Sequence, residues 1–372
     1  MHMSPTTFHA FPMHGHHKML AEGYRTRDAH VLEWMSKLFP TSDIQVHSRP
    51  DPFPLRRLAM RGASTDAQLP NVHDDYKTVL TVPPLRHPKR WWVNSIRHYG
   101  TVVKNEATIV WNPMMGLRGE IKEHQGPLHV DLLDNWLEHE AFRTFRNEVA
   151  TSYANLFRYA TSVTANSEST LRLALDHGRD DAVLVPNGCD PDKFSSNSTA
   201  SGRPTVGYIG KIGRRLDVSL IRSTAESNPN WKFAFAGPVL DREVGIALKR
   251  LQNIVMLGDV HYSNIPALLQ TFDVGWVPHG VSKGQVGGDA IKIYEYRAAG
   301  LPVITTPIIG TRERPMPGVT VADANAHGKL IRSLDLHNGR VPRMPYSTPP
   351  ELTWKAKTEK ILALMEVHPS VS

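Results

Sequence analysis

The hydrophobic pattern is most regular in the second half of the chain. There, short apolar runs alternate with segments whose apolar residues recur every three or four positions. The runs predict strands at 205–209, 232–236, 254–256, 274–277 and 303–305, and the segments predict helices near 218–226, 241–251, 265–271 and 290–299. Strict alternation of apolar strands with helices is typical of a parallel sheet covered on both faces. We therefore expect an α/β domain after residue 203.

The first half carries a weaker version of the same pattern. Strands are predicted at 6–11, 108–111, 128–133, 162–165 and 182–185, and helices at 26–39, 138–149 and 171–177, with glycine turns at Gly15 and Gly23. Residues 195–202 are small and polar, as in a linker. The expected division is a first domain at 1–185, a linker at 186–202, a second domain at 203–345 and a terminal segment, 346–372, whose helix packs back on the first domain.

The stretch at 287–306 combines a glycine loop, a helix, a glycine stop at Gly300 and a strand. Asp289 is predicted to cap the helix, and Ile291, Tyr294 and Ala298 to form its apolar face. A helix N-terminus behind glycines can bind an anion, and Lys292 adds a positive charge. Glu295, on the same face, could accept hydrogen bonds from sugar hydroxyls. These features suit a nucleotide, and the alternative is an ordinary surface helix with an ion pair.

Further loops should gather at the carboxyl edge of the second sheet, where open α/β sheets bind ligands. The predicted lining residues are Gly210, Lys211, Arg214, Arg215, Gly237, Pro238, His261, Tyr262 and the 279–289 loop. Ordinary turns and solvated arginines are the alternative interpretation of each loop taken alone. Convergence of several such loops favours a ligand site.

Composition narrows the setting of the protein. The 372 residues carry 43 Lys and Arg against 36 Asp and Glu, a net charge of +7, which favours anionic partners. Cys189 is the single cysteine, so an intramolecular disulfide is excluded and a reducing compartment is indicated. No apolar run approaches 18 residues, and the His- and Pro-rich start lacks a signal-peptide core. A cytoplasmic location is the resulting prediction.

Basic and aromatic residues are interleaved between residues 79 and 105. The segment has no acidic residue and contains Arg86, Lys89, Arg90, Trp91, Trp92, Arg97, Tyr99 and Lys104. Such a composition suits docking on an anionic membrane surface or, with less weight, stacking on nucleic acid. The alternative is a helix that buries its tryptophans and exposes its arginines. Upstream, His14, His16, His17 and His30 could hold a metal, although their spacing favours a solvated loop.

Two aspartates stand at the end of the predicted 128–133 strand. Asp134 lies just past it and Asp131 within it. An aspartate at the carboxyl end of such a strand can contact a ligand. It can equally cap the following helix.

Four ordered motifs in the chain resemble group 1 glycosyltransferases of the GT-B fold, the family that includes bacterial cell-surface polysaccharide enzymes. They are Val163-Thr-Ala-Asn-Ser-Glu168 with Pro186-Asn-Gly-Cys-Asp190 and Phe194, Val206-Gly-Tyr-Ile-Gly210, Trp231-Lys-Phe-Ala-Phe-Ala-Gly-Pro238, and Ile291-Lys-Ile-Tyr-Glu-Tyr-Arg-Ala-Ala-Gly-Leu-Pro-Val303. The resemblance implies two Rossmann-like domains with mainly parallel sheets facing across a cleft. It also implies a nucleoside diphosphate sugar, UDP- or GDP-linked, as co-substrate, with no obligatory metal.

The resemblance also assigns roles to individual residues. Glu295 falls on the carboxylate that holds the donor ribose, and Lys211, Arg214 or Arg215 would hold the diphosphate. Gly237, Pro238, His261 and Tyr262 would border the base, and Asp134, or else Asp131, would be the base that activates the acceptor hydroxyl. N–H groups of Gly287, Gly288, Asp289, Ala290 and Ile291 would support the departing diphosphate. A glutamate often found eight positions before the ribose-binding one is Gly287 here.

The resulting functional prediction is a glycosyltransferase that transfers a hexose-type sugar to an acceptor hydroxyl on a glycan, lipid-linked or protein acceptor, from the cytoplasm or the inner membrane face. Three alternatives remain. The same chemistry could act on modified DNA bases, the fold could serve a sugar-nucleotide epimerase or hydrolase, or it could bind a partner without catalysis.

Overall fold

The computed structural model describes residues 6–52, 68–79, 90–281 and 288–368. These residues fold into two compact units. The first unit comprises Met1–Asn187, Val286–Asp289 and Trp354–Ser372, and the second comprises Gly188–Gln285 and Ala290–Thr353. Gly288 and Asp289, predicted from sequence to lie in the second domain, therefore group with the first unit.

A parallel sheet forms the centre of the first unit. Its strands, with a separate short pair β3 and β5, are β1 (Thr7–Phe11), β2 (Asp43–Val46), β3 (Asp51–Pro52), β4 (Val72–Asp74), β5 (Thr78–Val79), β6 (Ala107–Val110), β7 (Leu128–Leu132), β8 (Ser162–Ala165) and β9 (Val183–Leu184). The order across the main sheet is β4-β2-β1-β6-β7-β8-β9, and every neighbouring pair is parallel. The sheet places the ends of β7 and β8 side by side, which positions Asp134.

Helices and apolar clusters cover both faces of this sheet. The α-helices are α1 (His16–Glu22), α2 (Arg27–Leu38), α3 (Trp91–Asn94), α4 (Glu120–Glu123), α5 (Arg146–Tyr159) and α6 (Glu168–Leu175). One cluster contains Val149 and Tyr153 of α5 with Val130 of β7. A second contains Leu32 of α2 with Phe8 of β1. This is the layered arrangement that buried, near-continuous apolar strands require.

The second unit repeats the architecture with its own parallel sheet. Its strands are β10 (Thr205–Ile209), β11 (Lys232–Ala236), β12 (Ile254–Gly258), β13 (Val274–Val277), β14 (Val303–Thr305) and β15 (Val319–Val321). The order is β12-β11-β10-β13-β14-β15. Strand order reverses between β10 and β13, and ligands of open α/β sheets bind outside the carboxyl ends of the strands at such a point.

Two helices of the second unit begin at an aspartate cap. The α-helices of this unit are α7 (Val218–Glu226), α8 (Arg242–Lys249), α9 (Ile265–Gln270), α10 (Ile291–Ala298) and α11 (His327–Arg332). Asp217 caps α7 and Asp241 caps α8, because their carboxylates accept hydrogen bonds from backbone N–H groups in the first turns of these helices. Helix α10 has Ala290 as its N-cap and, like α9 and α11, no side-chain cap. The predicted cap, Asp289, was therefore wrong.

The last helix, α12 (Trp354–Leu364), belongs to the first unit and packs against α2. Ile361 and Leu362 join the cluster that contains Leu32 and Met35. Trp354 is fully buried and stacks on His30 at a ring-centroid distance of 4.6 Å. None of the helices in the described part of the chain is long and apolar enough to cross a membrane.

Several local predictions were wrong. His16 is buried in helix α1 and hydrogen-bonds Tyr24, rather than lying in a solvated loop. The helix predicted at 138–149 is a 3-10 turn at Glu140–Phe145 followed by α5, and His139, not Asp134, caps it. In α10 the buried apolar residues are Ile293, Tyr294 and Tyr296, so the predicted face is right for Tyr294, whereas Ile291 and Ala298 are half-buried.

The segment predicted to meet a membrane or nucleic acid is described from residue 90 onward. Trp91 and Trp92 are 6% and 8% exposed, and the indole N–H of Trp91 donates to the carbonyl of Pro50. Arg49 lies over the ring of Trp92. Both tryptophan rings are therefore buried in the protein, as the alternative interpretation expected. Arg86 and Lys89 lie outside the described residues. Contact of this segment with a membrane or nucleic acid stays a prediction.

Candidate functional site

Two glycine loops meet at the carboxyl ends of β10 and β11. Gly210 and Gly237 have φ angles of 135° and 143°, which favour glycine. A Cβ on Gly237 would lie 1.9 Å from the carbonyl oxygen of Gly210, so the two backbones are in direct contact. The N–H of Ile212 donates to the carbonyl of Pro238 at 2.9 Å. These loops form a side-chain-free floor beside the reversal of strand order.

The ammonium group of Lys292 lies over this floor. A Cβ on Gly210 would lie 2.8 Å from Lys292 Nζ, and Nζ is 4.6 Å from the ring centroid of Tyr208. Burial, together with the nearby charge of Arg215, lowers the pKa of Lys292 to about 7, although Glu295 acts in the opposite direction. An anion on the glycine floor would stabilise the charged form of Lys292.

Glu295 lies one turn further along α10 and is 3% exposed. Burial raises the pKa of Glu295 to about 7, against the opposing effects of a hydrogen bond with Tyr262 and the charges of Lys292 and Lys193. A buried carboxylate held beside two lysines and a tyrosine is costly to maintain. Buried ionisable groups with strongly shifted pKa values are concentrated in functional sites.

Two residues next to Glu295 escaped the sequence-based choice of site residues. Lys193 Nζ is 3.0 Å from Asp190 Oδ2 and 5.8 Å from the ring centroid of Tyr262. Asp190 ends the Pro186-Asn-Gly-Cys-Asp190 motif, so that motif was the available signal. The positive charge of Lys193 lowers the pKa of Glu295, and the negative charge of Asp190 raises it.

The basic loop after β10 divides into two parts. The positive charge of Arg215 lowers the pKa of Lys292. The pKa of His279 lies well below its ordinary value because His279 is buried and lies near the charges of Lys292 and Arg215. Lys211 is exposed and also lowers the pKa of Lys292. Arg214, by contrast, is 89% exposed and pairs with Asp241 at 2.9 Å. The structure therefore brings Lys211 and Arg215 to the Lys292 site and leaves Arg214 on the surface.

His261 and Tyr262 follow β12 at the same edge. The ring nitrogen of His261 accepts the N–H of Ser263 and caps a short 3-10 turn, Tyr262–Asn264. Tyr262 is buried, and burial with the adjacent Glu295 charge raises its pKa well above the ordinary value. Tyr262 therefore reaches Glu295, whereas a ring nitrogen of His261 hydrogen-bonds the hydroxyl of Ser263 within its own turn.

Gly288 and Asp289, predicted to face the diphosphate, have hydrogen-bond partners within the first unit. The N–H of Gly288 donates to Asp134 Oδ1 at 3.1 Å, and Asp289 Oδ2 accepts the N–H of Asn187 at 2.9 Å. Ala290 and Ile291 stand at the start of the helix, and Gly287 lies outside the described residues.

Asp134 and Asp131 have different surroundings in the first unit. Asp134 is half-buried in the loop after β7. Asp131 is fully buried within β7 and accepts hydrogen bonds from Arg27, Trp111 and Thr164. Burial raises the pKa of Asp131, but Arg27 outweighs it and leaves the pKa below its ordinary value. With both oxygens engaged, Asp131 does not fit the predicted role of a base, and for Asp134 that role stays a prediction.

Sequence and structure comparisons agree on the kind of protein that this chain resembles. Residues 203–334 match the family model described as glycosyl transferases group 1. Over 187 residues the chain is 27% identical to TuaH of Bacillus subtilis strain 168, provisionally assigned as a teichuronic acid biosynthesis glycosyltransferase, and the match spans 47% of each protein. The matching part is thus about half the length of that relative.

Solved structures show the fold over nearly the whole chain. An α,α-trehalose-phosphate synthase (UDP-forming) from Burkholderia vietnamiensis has a TM-score of 0.60 at 12% identity, covering 98% of this chain and 94% of that one. Anabaena Alr3699/HepE in complex with UDP-glucose has a TM-score of 0.58 at 14% identity, covering 97% of each chain. Residues 203–334 therefore resemble a group 1 glycosyltransferase domain, within a chain that has the two Rossmann-like α/β units of the GT-B fold.

Proposed function

We propose that the protein is a glycosyltransferase that takes a sugar from a nucleoside diphosphate, UDP- or GDP-linked, and transfers it to an acceptor hydroxyl. The observation that carries this proposal is the pairing of Lys292 and Glu295 on α10, over the Gly210 floor, inside the part of the chain that matches group 1 glycosyltransferases. UDP-glucose in the complex of a fold neighbour supports a uridine donor.

The proposed donor site assigns one part of the nucleotide to each group. Lys292, with Arg215 and Lys211, faces the diphosphate, and the N–H groups at Ala290 and Ile291, in a helix without a side-chain cap, add to the positive end of α10. Glu295 accepts hydrogen bonds from the ribose hydroxyls. The Gly237-Pro238 loop and the 261–262 turn border the base. The proposal takes these protein cations, rather than a metal ion, as the counter-charge of the diphosphate.

In the transfer step, the bond between the sugar's anomeric carbon and the diphosphate oxygen breaks, and a bond from that carbon to the acceptor oxygen forms. The diphosphate leaves with the electron pair, and the cations around Lys292 stabilise its growing charge. The acceptor proton passes to Asp134, which must come within about 2.6–3.2 Å of the hydroxyl.

The acceptor class follows from the relative rather than from the site. TuaH is assigned to teichuronic acid biosynthesis, so we take a cell-surface polysaccharide or its precursor as the acceptor to test first. A cytoplasmic location, with contact between the 79–105 segment and an anionic membrane, is part of the same proposal.

A thermal-shift panel of UDP-, GDP-, ADP- and dTDP-glucose tests the donor site. A ligand at 100 times its Kd should stabilise the protein by about 2.7 kcal/mol. We expect a response to one base, lost in Glu295→Ala and Lys292→Met and kept in Glu226→Gln, an exposed glutamate of α7. If all variants respond like the wild type, the site assignment fails.

Product analysis separates transfer from the alternatives. Chromatography of UDP-glucose incubated with enzyme, with and without a polysaccharide acceptor, should show nucleotide release that depends on the acceptor. Release at the same rate without acceptor indicates a hydrolase, and an altered sugar nucleotide indicates an epimerase.

A further inference from the structure

A buried arginine begins helix α2 and joins two distant parts of the first unit. Arg27 is 3% exposed, and its Nε and Nη2 donate to the two oxygens of Asp131 at 2.8 and 2.9 Å. Its remaining terminal nitrogen, Nη1, donates to Asn187 Oδ1 at 3.1 Å. A fork of donors of this kind holds its partners in a fixed plane.

Asn187 passes this constraint to the segment at 288–289. Its side-chain amide donates to the carbonyl of Asp289 at 2.7 Å, while its backbone N–H donates to Asp289 Oδ2 at 2.9 Å. Asp289 is thus held by hydrogen bonds to both its backbone carbonyl and its carboxylate. The preceding N–H, that of Gly288, donates to Asp134 Oδ1 at 3.1 Å.

The fit around Gly288 is close. A Cβ at this position would lie 2.2 Å from Asn166 Nδ2 and 2.5 Å from the carbonyl oxygen of Leu133, the residue before Asp134. The segment therefore lies directly against the loop that carries Asp134. A small displacement of Asp289 would move the Gly288 N–H away from the carboxylate.

Asp134 is consequently connected to Arg27 by two routes. One runs along the chain from Asp131, three residues earlier in β7, whose carboxylate Arg27 holds together with Trp111 Nε1 at 2.7 Å and Thr164 Oγ1 at 2.8 Å. The other runs through Asn187, Asp289 and the Gly288 N–H. The two routes close a ring, and a ring fixes the orientation of Asp134 more firmly than either route alone.

We propose that Arg27 is a positioning residue for Asp134, acting through Asp131 on one side and through Asn187 and Asp289 on the other. This inference rests on the proposed function, because it gives Arg27 a part in catalysis only if Asp134 is the base. Its purely structural alternative is a buried ion pair that stabilises the first unit and nothing more.

Arg27→Lys tests the ring directly. Lysine keeps the charge next to Asp131 but lacks the fork that reaches Asn187 at the same time. We expect faster hydrogen exchange at the Gly288 amide. With the polysaccharide acceptor present, we also expect kcat for UDP release from UDP-glucose to fall roughly 10- to 100-fold, because misplacing a catalytic group by about 1 Å can cost that much. The KM for UDP-glucose should change less than about twofold, a limit set by roughly 0.4 kcal/mol of binding free energy.

Two companion variants separate positioning from stability. Asn187→Ala leaves the Arg27–Asp131 ion pair intact and cuts only the second route, so it should lower kcat and speed exchange at Gly288 even if Arg27→Lys folds poorly. Arg179→Ala is the matched control, because Arg179 is a largely buried arginine of the same unit that pairs with Asp181 and two backbone carbonyls away from Asp134. It should lower Tm and leave kcat unchanged. Guanidinium added to Arg27→Ala should restore part of the activity, and methylammonium should not.

The inference is overturned if Arg27→Lys and Asn187→Ala keep both wild-type kcat and wild-type exchange at Gly288, or if Arg179→Ala reproduces their kcat loss. A wild type that releases no nucleoside diphosphate from any sugar nucleotide, even with the polysaccharide acceptor present, would refute the proposed function instead. The exchange rates at Gly288 would still decide whether Arg27 holds the ring.

Discussion

Replacing Glu295 by glutamine should make the protein more stable while weakening its donor site. In the folded protein, burial raises the pKa of this carboxyl from 4.5 to about 7. At 1.36 kcal/mol per pKa unit, that difference corresponds to roughly 3 kcal/mol of destabilisation when the group is ionised. Glutamine carries no charge to bury and can still accept a hydrogen bond from Tyr262.

This figure already includes the attraction of Lys292 and Lys193, and the gain is smaller where the glutamine amide packs less well than the carboxyl. We expect Glu295→Gln to raise the free energy of unfolding by about 1–3 kcal/mol above pH 7. For a unit of this size each kcal/mol is worth about 2–4 °C in Tm.

The contribution of Glu295 to the free energy of unfolding depends on pH, and its sign follows from proton binding. Between pH 4.5 and about 7 the folded protein binds more protons at Glu295 than the unfolded chain, so this group makes wild-type stability fall as pH rises through that window. Below pH 4.5 both states are protonated and the effect vanishes. The Tm difference between Glu295→Gln and wild type should therefore be small at pH 4.5 and largest at pH 8.

Scanning fluorimetry at both pH values, with and without UDP-glucose, measures this prediction. The variant should be the more stable protein at pH 8 and respond less to UDP-glucose, whereas Glu226→Gln should match wild type in both respects. A Tm below wild type at pH 8, or an equal Tm difference at both pH values, would refute the reasoning about burial.

Three further predictions concern the sites and their glycines. The pKa of Lys292 is about 7, below its ordinary 10.5, so between these two pH values the folded protein binds fewer protons at Lys292 than the unfolded chain does. Wild-type stability should therefore rise with pH through that window, giving a higher urea midpoint at pH 10 than at pH 7. Lys292→Met should remove this difference between the two midpoints. Asp131→Asn should cost about 3–5 kcal/mol in urea unfolding, because the buried Arg27 loses its counter-charge. Gly237→Ala should lower Tm and abolish the UDP-glucose response, since its Cβ would lie 1.9 Å from the carbonyl oxygen of Gly210, and normal binding by a stable variant would contradict this.

The second unit was largely predictable because its strands are apolar, uniform and flanked by clear caps. The strands at Thr205–Ile209, Lys232–Ala236 and Val274–Val277 occur where the pattern placed them. In the first unit, Asp43–Val46 and Val72–Asp74 escaped notice because three or four residues with one or two buried apolar side chains give almost no periodicity.

The site was less predictable than the fold. Glu295 and Lys292 could be chosen because a local motif carries both. Asp289 was misassigned as a helix cap because its actual partner, Asn187, lies 102 residues away. The contact between Arg27 and Asp131 spans 104 residues, and a single sequence gives no signal for such a pair.

A crystal structure of the protein grown with UDP-glucose tests the central claim most directly. The account predicts the diphosphate beside Lys292 over the Gly210 floor, and a ribose hydroxyl within about 2.6–3.2 Å of the Glu295 carboxylate. A nucleotide bound elsewhere, with Glu295 still enclosed by Tyr262 and Lys193 and touching no ligand atom, would contradict it.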